Sequence, residues 1–189
     1  MEEDRQLIEK ILSGNAGEFE NLIRKFQRLV MHIVFRIIPN SSDQEDLCQE
    51  IFLKIYQNLE TFRFESKLST WIGRIAYNMC LNHMEKKKLP LQDSEFRELE
   101  MEDFYKPDTT PPLDNIEKTD WYQKIYSEID KLPFKLRTIL TLFHLDGFSY
   151  QEIGEIMSLP EGTVKSYLFR ARRQLKESLI SKYKYEVHS

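Results

Sequence analysis

SYQEIGEIMSLPEGTVKSYLFRARRQL, residues 149–175, reads as two helices joined by a tight turn and ending in a basic surface. Ser149 and Glu152 have the S-x-x-E spacing of a capping box, in which each side chain satisfies an orphan backbone N–H at a helix start. A first helix is therefore expected from near Tyr150, with Ile153, Ile156 and Met157 on one face. Ser158, Leu159 and Pro160 interrupt the period, and Pro160 suits the first turn of a second helix. Along that second helix Val164, Leu168, Ala171 and Leu175 fall in one narrow arc and predict the core face. Gly162, Ser166, Phe169, Arg170 and Arg173 lie opposite, with Lys165 and Arg172 on one flank and Thr163 and Tyr167 on the other. Arg donates two hydrogen bonds to guanine, Ser and Thr are adaptable, and aromatic or methyl groups meet thymine's methyl in the major groove, so this face fits duplex DNA. A solvated amphipathic helix is the plainer reading of any basic helix. The capped partner, the short turn and an outward Phe169 favour a helix-turn-helix reader instead.

The charge that such a reader needs is local. From Glu161 to Tyr185 seven basic residues face two acidic ones, a net of +5, whereas the whole chain of 189 residues carries −4. A free-standing basic DNA binder is disfavoured by that balance, and something else must supply affinity. Residues 1–88 are neutral overall, residues 89–118 carry −6, and residues 119–189 carry +2. The middle stretch holds Pro90, Pro107, Pro111 and Pro112 with acidic clusters around Glu98 and Asp103, and has no sustained helical period. It reads as a linker between two small domains, 1–88 and 119–189. With 41% hydrophobic residues, twelve Phe and nine Tyr, both halves can build folded cores.

No span or export signal is expected. MEEDRQ is acidic where a secretory signal is basic, and LVMHIVFRII, residues 29–38, is too short to cross a bilayer and is interrupted by His32 and Arg36. That stretch predicts a buried helix. Cys48 and Cys80 stand alone, without metal-ligand spacing, and read as small core residues of a reduced, cytoplasmic protein. No metal or cofactor is expected. Gly-rich phosphate loops, H-E-x-x-H and nucleophile elbows are all missing from the sequence, so the chain is not expected to be an enzyme.

The amino-terminal half has its own informative helix. Ser42 and Glu45 have capping-box spacing, and DQEDLCQEIFLKIYQNL follows. Leu47, Cys48, Ile51, Phe52, Ile55 and Leu59 form a core arc; Asp43, Asp46, Gln49 and Glu50 share the other face with one apolar residue, Leu53. An acidic face around an exposed leucine suits a basic protein partner rather than phosphate, or is a solvated face with a stray leucine. Beyond it Phe62, Arg63, Phe64, Lys67, Trp71, Arg74 and Tyr77 interleave aromatics with cations, then Lys86, Lys87 and Lys88 follow. Aromatics that stack on unpaired bases beside cations that follow the backbone are what single-stranded nucleic acid needs; a buried aromatic core is the competing reading. Asn78 falls on the same helical face as Trp71 and Ile75.

In the same order, DQEDLCQEIFLKIY, STWIGRIAYN and LPFKLRTILTLFHLDGFSYQEIGEIMSLPEGTVKSYLFRARRQL resemble the bacterial RNA polymerase sigma factors of the extracytoplasmic-function group of the sigma-70 family. The resemblance covers residues 19–88, similar to region 2, and 119–180, similar to region 4. It implies an all-α chain of two helical domains and a transcription-initiation subunit that binds core RNA polymerase and directs it to promoters. By position it assigns Asp43, Asp46, Gln49, Glu50 and Leu53 to the clamp helices of the polymerase largest subunit. Phe62, Phe64, Lys67 and Trp71 fall where the family opens the promoter, and Asn78 where it captures a flipped base of the minus-10 non-template strand. Thr163, Lys165, Ser166, Tyr167, Phe169, Arg170 and Arg173 fall in the minus-35 reader, and the polymerase flap is the expected seat for region 4. An anti-sigma factor is a further expected partner.

Two positions depart from the family pattern: Tyr167, where a basic residue is common, and Gly73, where a bulkier residue is frequent. The promoter sequence therefore does not transfer. A coil of the linker's size spans about 30 Å on average and about 100 Å fully extended, enough to let two domains reach separated sites. A duplex-binding regulator with a sensory or dimerising amino-terminal domain, and an enzyme acting on nucleic acid, are the alternative classes. The regulator predicts operator binding by the chain alone; the sigma reading predicts specific transcripts only with core polymerase.

Overall fold

The computed structural model describes residues 2–88 and 120–183, and among them every regular element is helical. The acidic linker expected over residues 89–118 lies outside the described residues. In the amino-terminal half, α1 (Glu2–Leu12), α2 (Ala16–Ile37), α3 (Ser41–Asn58) and α4 (Leu68–Lys88) form a bundle, with a 3-10 turn (Leu59–Thr61) between the last two. The carboxy-terminal half contains α5 (Asp120–Ile129), α6 (Phe134–His144), α7 (Tyr150–Met157) and α8 (Glu161–Tyr183). Helix α2 is the pillar of the first bundle, packing on α1, α3 and α4, while α8 is that of the second, packing on α5, α6 and α7.

Helix α2 buries Leu22, Phe26, Leu29, Val30, Ile33, Val34 and Ile37, a three-and-four spacing that makes one broad apolar stripe. The sequence expectation of a buried helix over residues 29–38 holds through Ile37. His32 and Arg36, which looked like interruptions, are turned toward the other half. Arg36 is 2% exposed and pairs with Asp130, 94 residues away. His32 Nδ1 lies 2.8 Å from an Asp146 carboxylate oxygen. Arg137 adds a donor to the Arg36 carbonyl, and its Nη1 reaches the Asp130 and Leu132 carbonyls at 3.0 and 3.2 Å. Around these polar pairs α6 packs on α2 and α7 packs on α4, so the buried apolar residues of both halves make one contiguous core.

The helix-turn-helix forms as its local chemistry dictates. Ser149 Oγ accepts from the Glu152 N–H at 3.3 Å and the Glu152 carboxylate accepts from the Ser149 N–H at 2.8 Å, completing the capping box. Ser158 ends α7 in the left-handed conformation, φ 56° and ψ 45°. The Leu159 N–H then folds back to the Gly154 carbonyl at 2.9 Å. Glycine is required there: a Cβ on residue 154 would sit 2.7 Å from the Leu159 carbonyl oxygen. Pro160 precedes α8 rather than opening it, its carbonyl accepting from Thr163 and Val164. The expectation for α3 needs a similar correction. Asn40, not Ser42, is the cap, its Oδ1 accepting from the Ser42 N–H at 3.2 Å and from the Ser42 hydroxyl at 3.1 Å, so the helix starts at Ser41. An Asn side chain two residues upstream captured the donor that a Ser42 box would have used.

Cys48 and Cys80 are free thiols, half-buried and buried. Burial, aided by Glu45, pushes Cys48 up to about 11, and burial raises Cys80 further still. Both are packing residues, as the sequence suggested.

Glu128 fastens α5 to the end of α8. It is 1% exposed, takes hydrogen bonds from Ser178 and Lys131 at 2.6 Å, and receives Lys182 on both oxygens at 3.0 Å. Burial alone would raise its carboxyl, but these donors outweigh burial and bring it down to about 2. A carboxylate with a lowered folded pKa contributes stability that is complete above its unfolded value and is lost as pH falls toward the folded one. Glu128→Gln is therefore expected to remove most of the stability lost between about pH 4.5 and 2, up to about 3 kcal/mol, while changing little in the slope above pH 6. Urea midpoints of both proteins measured across pH 2–8 read the difference; parallel curves count against the assignment.

Candidate nucleic-acid interface

Helix α8 carries the residues that the sequence assigns to duplex DNA. Val164, Leu168 and Ala171 are fully buried and Leu175 is half-buried against them, which turns the opposite face to solvent. Phe169 is 67% exposed, and Lys165, Ser166, Arg170 and Arg173 are exposed around it. None is committed elsewhere by a strong bond. Lys165 pairs with Glu161 at 2.6 Å and Arg173 with Glu177 at 2.8 Å, all four side chains more than half exposed. Such pairs are worth only a few tenths of a kcal/mol, roughly 0.3–0.5, and yield readily to a phosphate. The Ser166 hydroxyl donates to the Gly162 carbonyl at 2.9 Å.

Three flank residues behave differently. Arg172 turns away from the Phe169 face: its Nε donates to His144 Nε2 at 3.1 Å, and its guanidinium lies 5.1 Å from the Phe143 ring centroid. Burial and the Arg172 charge hold His144 below its ordinary value, which suits a neutral acceptor. Tyr167 and Thr163 are half-buried. Tyr167 packs against the shared core close to Tyr77 of α4, whose hydroxyl is raised well above its ordinary range by burial first and by Cys80 and Tyr167 next.

The aromatic and basic stretch is brought together around the start of α4. Phe62 stands 4.8 Å from Phe64 and 5.3 Å from Trp71, ring centre to ring centre, and the Arg5 guanidinium covers Phe64 at 4.4 Å. Phe62 and Trp71 are 7% and 8% exposed, so in this state they are core and not open platforms. Phe64 is half-buried and sits at φ 59°, a left-handed conformation that strains a bulky residue by about 1–3 kcal/mol. Lys67 is engaged by Glu152 of the capping box at 2.8 Å. Burial would raise the Glu152 carboxyl, but Lys67 and the Ser149 cap hold it below its ordinary range. Asn78 is exposed.

On α3 the acidic face is open. Asp46, Gln49 and Glu50 are exposed, and Leu53 is 60% exposed. Asp43 is the exception: Lys87 pairs with it, His83 lies 3.6 Å away, and the Lys87 hydrogen bond leads in holding its carboxyl below the usual range. The structure adds one residue that the helical reading passed over. Tyr56, 50% exposed, stands edge-on to Phe19 at 4.9 Å, and its i+3 spacing from Leu53 was the available signal.

A separate apolar groove involves the later turns of α8. Tyr122, Ile125, Leu140, Leu145, Leu175 and Leu179 line an apolar groove of about 540 Å³ between α5, α6 and α8. Tyr122 and Ile180 on its rim are 46% and 45% exposed. Among the described residues no helix is long and apolar enough to cross a membrane.

Comparisons with known proteins show the family of the chain. Residues 22–89 match the family model for Sigma-70 region 2 and residues 122–175 that for Sigma-70 region 4. The chain is 34% identical over 187 residues to the RNA polymerase sigma-H factor of Pseudomonas aeruginosa, covering 94% of each. It is 35% identical over 176 residues to the ECF RNA polymerase sigma-E factor of Escherichia coli K12, covering 91% of this chain and 92% of that one. Its fold is similar to that of the sigma factor RpoE of Bartonella quintana, solved with the anti-sigma factor NepR (TM-score 0.70, 22% identity, 87% of this chain and 98% of that one). A similar fold is seen in CnrH in complex with the cytosolic domain of CnrY (TM-score 0.65, 18% identity, 95% and 98%). The chain therefore belongs to the sigma-70 family and is an RNA polymerase sigma factor of the extracytoplasmic-function group, a subunit for promoter-specific initiation of transcription.

Proposed function

We propose that this sigma factor docks on the largest-subunit clamp helices through α3, reads the minus-35 duplex with α8, and nucleates melting at the minus-10 element from the start of α4. The exposed face of α8 carries this reading. Phe169, Lys165, Ser166, Arg170 and Arg173 offer an apolar contact, hydroxyl and guanidinium donors on one accessible helix, the combination that major-groove readout uses. The acidic face around Leu53 and Tyr56 supports docking to a basic partner, and the α5–α6–α8 groove accepts an apolar helix such as the polymerase flap. Asn78, exposed on α4, offers both a donor and an acceptor to the edge of a flipped base. The left-handed Phe64, packed on Phe62 ahead of α4, supports a melting role.

With core enzyme supplying most of the affinity and holding both domains, weak intrinsic DNA binding at net −4 is expected. The site of action is the cytoplasm, with the polymerase. An anti-sigma factor that covers these surfaces is a further partner, and copurification with polymerase alone under all growth conditions would count against it. Transcription in vitro from a promoter library tests the central reading. Specific transcripts are expected only when the chain and core polymerase are both present. Operator binding by the chain alone, without transcripts, would favour a regulator.

A further inference from the structure

We infer that Tyr150 is a positioning residue of the minus-35 reader: its ring holds Lys165 ready for DNA, and Phe143 fixes that ring. Tyr150 opens α7 directly after Ser149, so the capping box sets the point from which its side chain leaves the backbone. The ring stacks on Phe143 of α6, with centroids 5.1 Å apart and planes at 12°. The Lys165 ammonium lies over Tyr150, 5.4 Å from the ring centroid, and the Arg172 guanidinium lies over Phe143. Lys165 and Arg172 are seven residues apart on α8, which puts them on one flank of the helix. The row Lys165, Tyr150, Phe143, Arg172 therefore ties α6, α7 and α8 together along that flank. His144 ends it, accepting from Arg172 Nε at 3.1 Å.

Both rings are half-buried against the core, which anchors them and leaves ring surface for the cations. Lys165 has two holds, the Tyr150 ring and the Glu161 carboxylate 2.6 Å away. The carboxylate pair is weak: both side chains are more than half exposed, and salt screens it. An incoming phosphate repels Glu161 and competes for the ammonium, so this hold fails when DNA arrives. The ring attracts a cation through its quadrupole and carries no net charge. It is not repelled by the phosphate, and it keeps Lys165 on its flank of α8 while the ammonium meets DNA.

The gain is preorganisation, and it rests on the reading of α8 proposed above. A lysine that is free in solution gives up rotamer freedom when it is fixed against DNA. One already confined by Tyr150 has less to lose, and the difference appears as tighter binding. Arg172 serves the same end from the other side of the row. Held by His144, it braces Phe143, and a braced Phe143 keeps the Tyr150 ring in its plane. The Tyr150 hydroxyl has no part in this, because the ring face supplies the attraction, so phenylalanine is expected to serve at the same position.

The test uses holoenzyme assembled from core polymerase and the full chain, with a fluorescent linear promoter recovered in the transcription assay. Anisotropy reads the affinity of Lys165→Ala, Tyr150→Leu, Tyr150→Phe and the double variant Tyr150→Leu with Lys165→Ala. Lys165→Ala should weaken binding at least about fivefold. Tyr150→Leu should weaken it about two- to fivefold, while Tyr150→Phe stays near wild type. In the double variant the loss from Tyr150→Leu should vanish, leaving only that of Lys165→Ala. Additive losses, equal losses from Tyr150→Phe and Tyr150→Leu, or no loss from Tyr150→Leu each overturn the positioning role. If circular dichroism shows that Tyr150→Leu has unfolded, proton NMR of the wild-type chain decides. The Lys165 ε-methylene signals, identified by their loss in Lys165→Ala, should lie upfield of those of a solvent-exposed lysine, because a ring current shields protons held over the ring; unshifted signals overturn the role. Arg170→Ala is measured alongside. Affinity insensitive to both Lys165→Ala and Arg170→Ala removes the reading of α8 itself, whereas sensitivity to Arg170→Ala alone removes only Lys165 and its positioning by Tyr150.

Discussion

The variant carrying Asp46→Lys, Glu50→Lys and Leu53→Ala loses core polymerase binding by more than about 100-fold while keeping its fold. Loss of one hydrogen-bonded interfacial charge pair typically costs about 2–5 kcal/mol, and about 2.7 kcal/mol is already a hundredfold. The fold survives because all three side chains are exposed, Leu53 at 60%, and substitutions at such positions usually stay within about 0.5 kcal/mol. Asp43 is the informative contrast. Already tied to Lys87, it offers less free charge to a partner, so Asp43→Asn is expected to weaken core binding several-fold at most and to lower stability slightly. Tyr56→Ala, by contrast, should approach the loss caused by Leu53→Ala. Pull-down and competition against a labelled sigma factor measure all four. Unchanged holoenzyme formation by the triple variant removes α3 from the polymerase interface.

With recognition on α8 and melting on α4, as proposed, single substitutions should split them. Arg170→Ala is expected to weaken minus-35 duplex binding by about 1–3 kcal/mol if the guanidinium reads a base, or with a shallower salt slope if it meets a phosphate; opening, once the complex forms, persists. Asn78→Ala should do the reverse, because the flipped base loses its hydrogen-bonding partner at a cost of about 1–3 kcal/mol. Its complexes remain closed on linear DNA, and a premelted bubble restores transcription at least in part. Permanganate footprinting of unpaired thymines measures the difference directly. Trp71 is a poor probe of the same step: at 8% exposure and packed on Phe62, its replacement by Ala costs about 3–5 kcal/mol of fold and confounds any loss of melting. Normal opening of linear DNA by Asn78→Ala would make Asn78 a bystander.

What was legible in the sequence follows from how local the physics is. Ser149 and Glu152 close their capping box within one turn, and Val164, Leu168 and Ala171 repeat at helical spacing. The reader helix and its outward face could therefore be drawn from residues 149–175 alone, as could the acidic face of α3 around Leu53. The motif blocks that resemble region 2 and region 4 carried the family, and the region models match over the same stretches. Where two local solutions competed the reading slipped: Asn40 and Ser42 can each cap α3, and geometry selected Asn40.

Other features had no local signal. Nothing near His32 or Arg36 announces Asp146 and Asp130, which lie 114 and 94 residues away; only the crossing of α2 over α6 supplies their partners. Phe62 and Trp71 alternate with cations in a pattern equally suited to a nucleic-acid platform or a core, and their burial depends on what packs over them. Gly73 stood out as a departure without a reason until Ile156 of α7 was found against it. Periodicity specifies which face of a helix is apolar, because side-chain direction is set by the helix itself. Which helix covers that face depends on long-range packing of the whole chain, and that the tertiary structure alone decided.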